Sequence, residues 1–598
     1  MKWQILRHNG VAFPPDYEPR GLKIKINGRV VQLEPLQEEM LMAWAKKIGT
    51  PYVDDSVFQE NFLLSLREQW AELFADVKIS DIDFSEMFEI AQSEKLANLP
   101  EEERKELSAQ RKIQREELKA KFGHARVDDN EVEIGAYLIE PPGIFMGRGE
   151  HPLRGRWKPR VFSYQVTLNL DEDAEIPYAP HGEWAGVVSE HDSLWVARWL
   201  ETLTDKVKYV WLAETSPLRQ EREQAKYDKA TTLKGKIDAV LTAIGRSMNS
   251  KDAQERQLAT VAYLIYRLAM RVGDEKDEDE ADTVGASTLR VEHVTVSDGK
   301  IDFDFLGKDS VRWERTLLVQ DNNDRALAKN LTAFMERKSR DAQFFPDVTS
   351  QHVNKFLKSL KNSRGKVIMK DLSAKVFRTY LATNEVTGYL KKGEQEIKDK
   401  YDAEHYAKMA NLQAAIKCNH KRTPPKTWDN TRKKLEDRVA MLSGKVPEFP
   451  NHGEKKEELR KAKTIAAETI KTTKNKLKRL KADNGSVDAK EIETAKKTVK
   501  EAEKKSERIS KELEKLERAI TSYKSAKYKA ERFRETKDYA LGTSLKNYID
   551  PRAYSEWDRK WKKVGFDWRT LYTGSLRKKF TWAMQDKDAE TQRDQEEV

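Results

Sequence analysis

The chain has 598 residues, more than one hydrophobic core usually organises, and its length suggests roughly four domain-sized units. Its 38% hydrophobic residues, with 14 Trp, 20 Phe and 19 Tyr, suffice for real cores, while 35% charged residues and a net charge of +10 imply large solvated surfaces and permit nucleic-acid binding without proving it. Cys418 is the one cysteine, which excludes an intramolecular disulfide framework and a Cys-based zinc site; with no apolar run long enough to span a bilayer, no signal-peptide core in MKWQILRHNG, no Walker-type phosphate loop and no HExxH helix, the expectation is an intracellular chain that uses neither membrane, nucleotide hydrolysis nor zinc.

Residues 1–213 mix strand-like alternation (GLKIKINGRVVQL, RVFSYQVTLNL, KYVWLA) with helices such as DSVFQENFLLSLREQWAELF, an α+β pattern. A polar helix in PEEERKELSAQRKIQREELKAKFG leads into EPPGIFMGRGEHPLRGRWKPR, a Pro/Gly loop bearing Arg148, Arg154, Arg156, Lys158 and Arg160. Those cations suit a phosphate backbone, with glycine allowing close approach, and they fit a solvated basic loop equally well.

From 214 to 427 the pattern turns mostly helical. In KDAQERQLATVAYLIYRLAMRVGDEK, Leu258, Val261, Ala262, Ile265, Leu268 and Val272 form an apolar stripe, Gly273 marks the expected stop, and Arg271 falls in the expected last turn. A β-hairpin follows: Ile301, Phe303 and Phe305 alternate with polar residues, LGKDS turns with Lys308 at its tip, and VRWERTLLV returns. In DLSAKVFRTYLAT, Ser373 reads as the N-cap, Val376, Phe377, Tyr380 and Leu381 face inward, and Lys375 and Arg378 share the other side. In AAIKCNHKRTPPK the proline pair is expected to stop a helix just beyond His420.

In the region 428–533, Ile492, Ala495, Val499, Ala502, Ser506, Ile509, Leu513, Leu516, Ile520 and Tyr523 step by three and four, a heptad seam. Leu459, Ala462, Ala466, Ile470, Thr473, Leu477 and Leu480 give a similar stripe, and ADNGS between them reads as the turn of an antiparallel helical hairpin. Its first arm, 454–482, carries eleven basic against four acidic residues, which fits either proximity to DNA phosphates or a solvated coiled-coil face. Residues 534–598 contain GTSLKNYIDPR (542–552), read as a short strand or turn around Tyr548. A Trp-rich amphipathic stretch (AYSEWDRKWKKVGFDW, RKKFTWAM) follows, its tryptophans read as core, and then a frayed acidic tail.

A tyrosine phenol, with an unperturbed pKa of about 10, is a poor nucleophile unless its attack is assisted. In a basic protein its natural target is a phosphodiester, whose five-coordinate transition state Arg, Lys and His donors can stabilise. Taken singly, Arg271 reads first as a helix-dipole partner and Tyr548 as a packing residue, while His420 fits a structural histidine and Lys308 a solvated hairpin residue as well as each fits such a site.

Together, KWQILRHNG, EPPGIFMGRGEHP, LAMRVGDEK, ADTVGASTLRVEH, FDFLGKDS, SAKVFRTY, CNHKRTPPK and ALGTSLKNYIDPR resemble, in order and over nearly the full length, the type IB DNA topoisomerases of the eukaryotic topoisomerase I kind. The resemblance implies an α+β multidomain DNA clamp: a mixed α/β cap lobe (1–213), a mostly helical catalytic lobe with a β-hairpin (214–427), an antiparallel coiled-coil linker (428–533) and a small helical C-terminal domain (534–598). It implies Tyr548 as the nucleophile that joins a 3′ phosphate, Arg271 and Arg378 on the non-bridging oxygens, His420 donating to the same group, and Lys308 as general acid to the 5′ oxygen. Arg148, Lys276, Asp309, Lys375 and Asn547 match DNA-contacting positions, and Arg148, Asp309 and Asn547 lie where camptothecin-class inhibitors stack in the family.

The implied partner is double-stranded DNA, bound by a monomer that needs no ATP and no essential metal. The implied location is the chromosome, in a nucleoid if archaeal-type and in a nucleus if eukaryotic. The basic N-terminal tail of the eukaryotic enzymes has no counterpart here, and MGRGEHP, GDEK and SLKNY stand where the family often has RGRGNHP, GNEK and SKLNY. These departures bear on DNA contacts and inhibitor binding rather than on the reaction. A tyrosine recombinase shares the chemistry, but places an HxxR unit where this chain has Lys375 to Arg378 and lacks the coiled-coil insertion. A non-catalytic DNA-binding coiled-coil architectural protein would leave the ordered Arg271, Lys308, Arg378, His420 and Tyr548 unexplained.

Overall fold

The computed structural model describes residues 3–147, 149–273, 284–307, 311–445, 451–482 and 489–584, with backbone alone at 451, 452, 482, 489 and 562. The protein is mixed α/β, with many helices and several small sheets. Two compact units divide it, Met1–Leu381 with Tyr572–Val598, and Ala382–Leu571, and the chain leaves the first for the second within the Ala374–Lys392 helix.

Among its described residues the first unit holds three clusters of buried apolar side chains. In one, Asn27 and Gly28 take φ of 49° and 77°, the left-handed pair that a two-residue hairpin turn needs, so Lys23–Ile26 folds back on Arg29–Gln32. Alternation then turns Ile24 and Ile26 inward, in one core with the Pro35–Ala45 and Ser56–Gln69 helices, where Trp44 stacks on Phe62 with centroids 4.7 Å apart. The second cluster unites the sheet of Leu6–His8, His124–Val127 and Asn130–Glu133 with a four-stranded sheet ordered Gly186–Val188, Val166–Asn169, Trp195–Glu201, Lys206–Trp211. His8 is buried at the end of its strand: its Nδ1 accepts from Gly10 N at 3.1 Å, so Nε2 carries the proton and donates to the Asn169 carbonyl at 3.0 Å.

The third cluster gathers the Ile237–Met248, Ala253–Leu268, Asn322–Met335 and Ser350–Ser359 helices with the sheet Val294–Ser297, Lys300–Gly307, Val311–Leu318. Ile301, Phe303 and Phe305 are buried as their alternation predicts, and Phe305 stacks on Trp313 across the hairpin at 4.9 Å. The hairpin tip, 308–310, lies outside the described residues.

The basic loop departs from both readings of it. Arg154 donates to Asp55 at 2.7 Å and Arg156 to Glu68 at 2.7 Å, Lys158 pairs with Glu140 and Glu201, and Arg160 lies 3.4 Å from Asp16 and donates to the Pro14 carbonyl at 2.9 Å. These four cations are therefore neither solvated nor spare for phosphate. Asp55 serves twice, because its carboxylate also caps the Ser56–Gln69 helix through the Val57 and Phe58 N–H groups.

The second unit is helical. The Asn451–Ala482 and Ala489–Glu535 helices pair antiparallel, as Lys456 with Glu517 and Lys474 with Glu503 show. Leu459, Ala466, Ala495, Val499 and Leu513 of the expected seam are buried; the turn between the helices, 483–488, lies outside the described residues. At the far end of the longer helix, Lys524 lies 2.7 Å from both Asp399 and Asp402, and the Tyr528 hydroxyl donates to Asp402 at 2.7 Å. Burial pushes the Asp402 carboxyl up, but Lys524, Tyr528 and the Lys398 N–H together hold it below the usual carboxylate range. This cluster ties the long helix to the start of the Lys400–Lys417 helix. Trp557, Trp568, Tyr554 and Phe566 are buried, as the core reading of the Trp-rich stretch expects, while the acidic tail 585–598 lies outside the described residues.

Candidate active site

The Ala253–Leu268 helix ends earlier than expected. Its C-cap, Ala269, takes the left-handed conformation at φ 51°, so Arg271 lies beyond the helix and not in its last turn. Buried Asp324 holds the final turn, accepting from Arg267 at 3.1 Å, Tyr263 at 2.9 Å and Gln320 N at 3.1 Å.

Arg271 is then fixed through its backbone. Ala286 N donates to the Arg271 carbonyl at 2.9 Å, Ser287 N to Val272 at 2.7 Å, and the Ser287 hydroxyl to Gly273 at 2.6 Å. Two glycines allow this approach: a Cβ on Gly285 would lie 2.4 Å from the Gly273 Cα, and Gly273 itself has φ of 85°.

Arg378 occupies the interior of the Ala374–Lys392 helix, at 4% exposure, while Lys375 is exposed. The expectation that Arg378 lies on the side away from the inward residues is corrected, because Arg378 is buried as well. Three residues along a helix is about 300°, so the two sit close on one wheel, but the guanidinium is the one withdrawn from water. The helix begins at Ala374, as the Ser373 reading expects, and Val376 and Phe377 are buried.

In the second unit, the helix before His420 also stops early. The Lys400–Lys417 helix is capped by Cys418, Asn419 takes φ of 51°, and His420 N reaches back to the Ala415 carbonyl at 2.9 Å. Left-handed Asn419, not the proline pair, ends it. The segment after it pairs with the chain before Tyr548: Ala540 N donates to the His420 carbonyl at 2.7 Å and Arg422 N to Asp538 at 2.8 Å.

The stretch around Tyr548 is a helix, Leu541–Asn547, and not a strand or turn. Gly542 and β-branched Thr543 are weak helix formers, and tertiary contacts compensate. Asn411 donates to the Leu541 carbonyl at 3.3 Å, and Ser544 and Leu545 are buried. Tyr548 is the C-cap, its N–H donating to Ser544 at 2.9 Å. Asn547 Nδ2 donates to the Thr543 carbonyl at 3.2 Å.

His420 and Tyr548 are brought together. Their rings stack with centroids 5.2 Å apart and planes 27° from parallel, and His420 Nδ1 lies 2.7 Å from the Ser544 hydroxyl. The Thr383 hydroxyl donates to the Tyr548 carbonyl at 3.3 Å and accepts from Asp550 N at 3.0 Å. Asp550 is in turn gripped by Arg552, whose Nη2 donates at 2.8 Å. The sequence reading passed over Ser544 and Thr383. Once 541–547 is known to be helical, Ser544 stands one turn before Tyr548 and is legible; Thr383 has no local signal.

Arg271 and Arg378 belong to the first unit, and His420 and Tyr548 to the second. Arg148, Lys276, Lys308 and Asp309 lie outside the described residues. Among the described residues no group of three or more His, Cys, Asp or Glu side chains could hold a metal ion, and no helix is long and apolar enough to cross a membrane.

Comparison with known proteins follows the same segments. Residues 1–212 match the family described as eukaryotic DNA topoisomerase I, DNA binding fragment, residues 215–452 its catalytic core, and residues 521–591 the C-terminal topoisomerase domain. DNA topoisomerase 1 of Homo sapiens is 33% identical over 611 residues, covering 99% of this chain and 72% of that protein. DNA topoisomerase 1 of Candidozyma auris is 33% identical across 98% of this chain and 82% of its own length, and DNA topoisomerase 1 alpha of Arabidopsis thaliana is 35% identical across 98% and 58%.

Proposed function

The chain belongs to the eukaryotic DNA topoisomerase I family and is a type IB DNA topoisomerase that acts on double-stranded DNA; on that premise we propose the residues and steps by which it works. Neither a recombinase nor a non-catalytic architectural protein is favoured by that membership.

Tyr548 attacks the phosphorus of one strand, forming a 3′-phosphotyrosine and releasing a 5′ hydroxyl. Arg271 and Arg378 hold the non-bridging oxygens, and His420 donates to the same group. Arginine suits this task because its fork stays charged and donates to two oxygens at once. Lys308 protonates the departing 5′ oxygen, a general-acid contribution on the order of 100- to 10,000-fold.

Because the phosphotyrosine bond conserves the energy of the broken phosphodiester, resealing needs only the returning 5′ hydroxyl and no ATP. Charge on the transition state is carried by the Arg, His and Lys donors, so no essential metal is required. Between the two steps the nicked duplex swivels about the intact strand and relaxes supercoils of either sign.

The observation that carries this reading is the stack of His420 on Tyr548 at 5.2 Å, which sets the nucleophile beside a phosphate donor. Residues 1–213 act as the cap lobe, 214–427 as the catalytic lobe, 428–533 as the coiled-coil linker and 534–598 as the C-terminal domain. Arg148, Lys276, Asp309, Lys375 and Asn547 contact DNA, and camptothecin-class inhibitors bind at the nick. The enzyme works as a nuclear, chromosome-associated monomer.

The test is relaxation of supercoiled plasmid with EDTA and without ATP. The parent relaxes it and leaves a 3′-linked covalent adduct; Tyr548→Phe does neither. A parent that forms no adduct refutes the reading.

A further inference from the structure

We infer that Ser544 is a positioning residue for the cleavage and resealing steps: its hydroxyl sets the tautomer and plane of His420, so that Nε2–H is the donor offered to the phosphoryl oxygen. The inference rests on the proposed role of His420 as that donor.

Ser544 does two things in one place. Its carbonyl accepts from Tyr548 N at 2.9 Å and from Ile549 N at 3.0 Å, closing the turn that presents the phenol. Its hydroxyl, 2.7 Å from His420 Nδ1, joins the same turn to the imidazole. Both side chains are buried, Ser544 at 0% and His420 at 4% exposure, so water does not compete freely for the contact.

The rest of the histidine is already constrained. Its N–H donates to Ala415 at 2.9 Å, its carbonyl accepts from Ala540 at 2.7 Å, and one ring face lies over Tyr548. The contact at Nδ1 bears on two further choices, a flip of the ring and the nitrogen that carries the proton, because neutral imidazole has two tautomers. A hydroxyl donated to Nδ1 leaves the proton on Nε2. When the imidazole is protonated, the same hydroxyl turns to accept from Nδ1–H, and Nε2–H is again the second donor. Serine can serve both states because its hydroxyl is donor and acceptor. No covalent step passes through Ser544.

The experiment uses the full chain, single-turnover cleavage of a duplex whose short downstream fragment, bearing the new 5′ hydroxyl, dissociates, and the variants Ser544→Ala, Ser544→Thr, His420→Ala and the double Ser544→Ala/His420→Ala. We expect Ser544→Ala to slow cleavage about 10- to 100-fold, the scale of a misplaced catalytic group. Ser544→Thr recovers most of the rate, and in the His420→Ala background the serine change adds less than about twofold, the non-additivity of groups that act as one.

Nitrogen NMR of histidine-labelled protein supplies a second readout: neutral His420 carries its proton on Nε2 in the parent and populates both tautomers in Ser544→Ala. If Ser544→Ala lowers the thermal midpoint, Ser544→Cys, of similar size and with a weaker donor, carries the same test. Full multiplication of the two defects, or a neutral parent His420 whose single ring proton sits on Nδ1, overturns the inference. A His420→Ala enzyme that cleaves at the parental rate refutes the donor role itself, a different result from slow but multiplicative variants.

Discussion

The Thr383 hydroxyl joins both sides of Tyr548, donating to the Tyr548 carbonyl at 3.3 Å while accepting from Asp550 N at 3.0 Å. Thr383→Val keeps the shape and removes both contacts, leaving the Asp550 N–H without its acceptor, at a cost of about 1–3 kcal/mol. The expected outcome is a lower thermal midpoint together with slower single-turnover cleavage, and near-parental behaviour for Thr383→Ser. Cleavage slowed with the midpoint unchanged would show that the hydroxyl acts on the reaction directly instead of holding the chain.

Gly273 and Gly285 touch backbone to backbone. A methyl on Gly285 would meet the Gly273 Cα at 2.4 Å and its N at 2.5 Å, and no rotamer change can relieve a backbone clash. Gly285→Ala is expected to break the pairing of 285–287 with 271–273, displace Arg271 and cost both stability and cleavage. Gly388 is the contrast, since a Cβ there meets nothing within 4 Å and the residue lies inside the Ala374–Lys392 helix. Gly388→Ala should stabilise by about 0.5–1 kcal/mol with activity unchanged. Thermal unfolding and plasmid relaxation of both variants check the pair.

The basic loop yields a prediction opposite to its composition. Arg154 is at 15% side-chain exposure and committed to Asp55, which also caps a helix. Arg154→Ala therefore acts on folding, by roughly the 1–3 kcal/mol of a charge-assisted hydrogen bond, and leaves the salt dependence of DNA binding unchanged. A cation on phosphate would instead lower the slope of log affinity against log salt by about one. Binding isotherms across several salt concentrations decide between them.

What was legible in the sequence was what short-range periodicity controls. Ile301, Phe303 and Phe305 alternate and are buried, and Leu459, Ala466, Ala495, Val499 and Leu513 follow their three-and-four spacing into the seam between two long helices. The misreadings share a non-local cause. The Leu541–Asn547 helix depends on Asn411 and His420, over a hundred residues away, more than on its own propensity. Arg154 finds Asp55 at a separation of 99 residues, and Arg378 is buried although its charge argues for the surface. At two helix ends the surprise was one residue, Ala269 and Asn419, entering the left-handed region before the glycine or proline that the sequence advertises. The family was legible because residue type and order carried it, while the contacts of Ser544 and Thr383 were not.

His8 makes the first unit sensitive to acid. Burial pushes its pKa down to about 4, and the Gly10 N–H already occupies Nδ1, so protonation must break that hydrogen bond. An unfolded histidine titrates at about 6.5. Between these values the unfolded chain binds a proton that the folded chain refuses, so the contribution of this group is complete above about pH 6.5 and is lost as pH falls toward 4. The loss is on the order of 3 kcal/mol. Other groups titrate alike in the parent and in His8→Asn, so the difference between their thermal midpoints isolates this one. The parent should lose ground against His8→Asn between pH 7.5 and pH 4.5, and curves that stay parallel over that interval would show that the imidazole is not the acid-sensitive group.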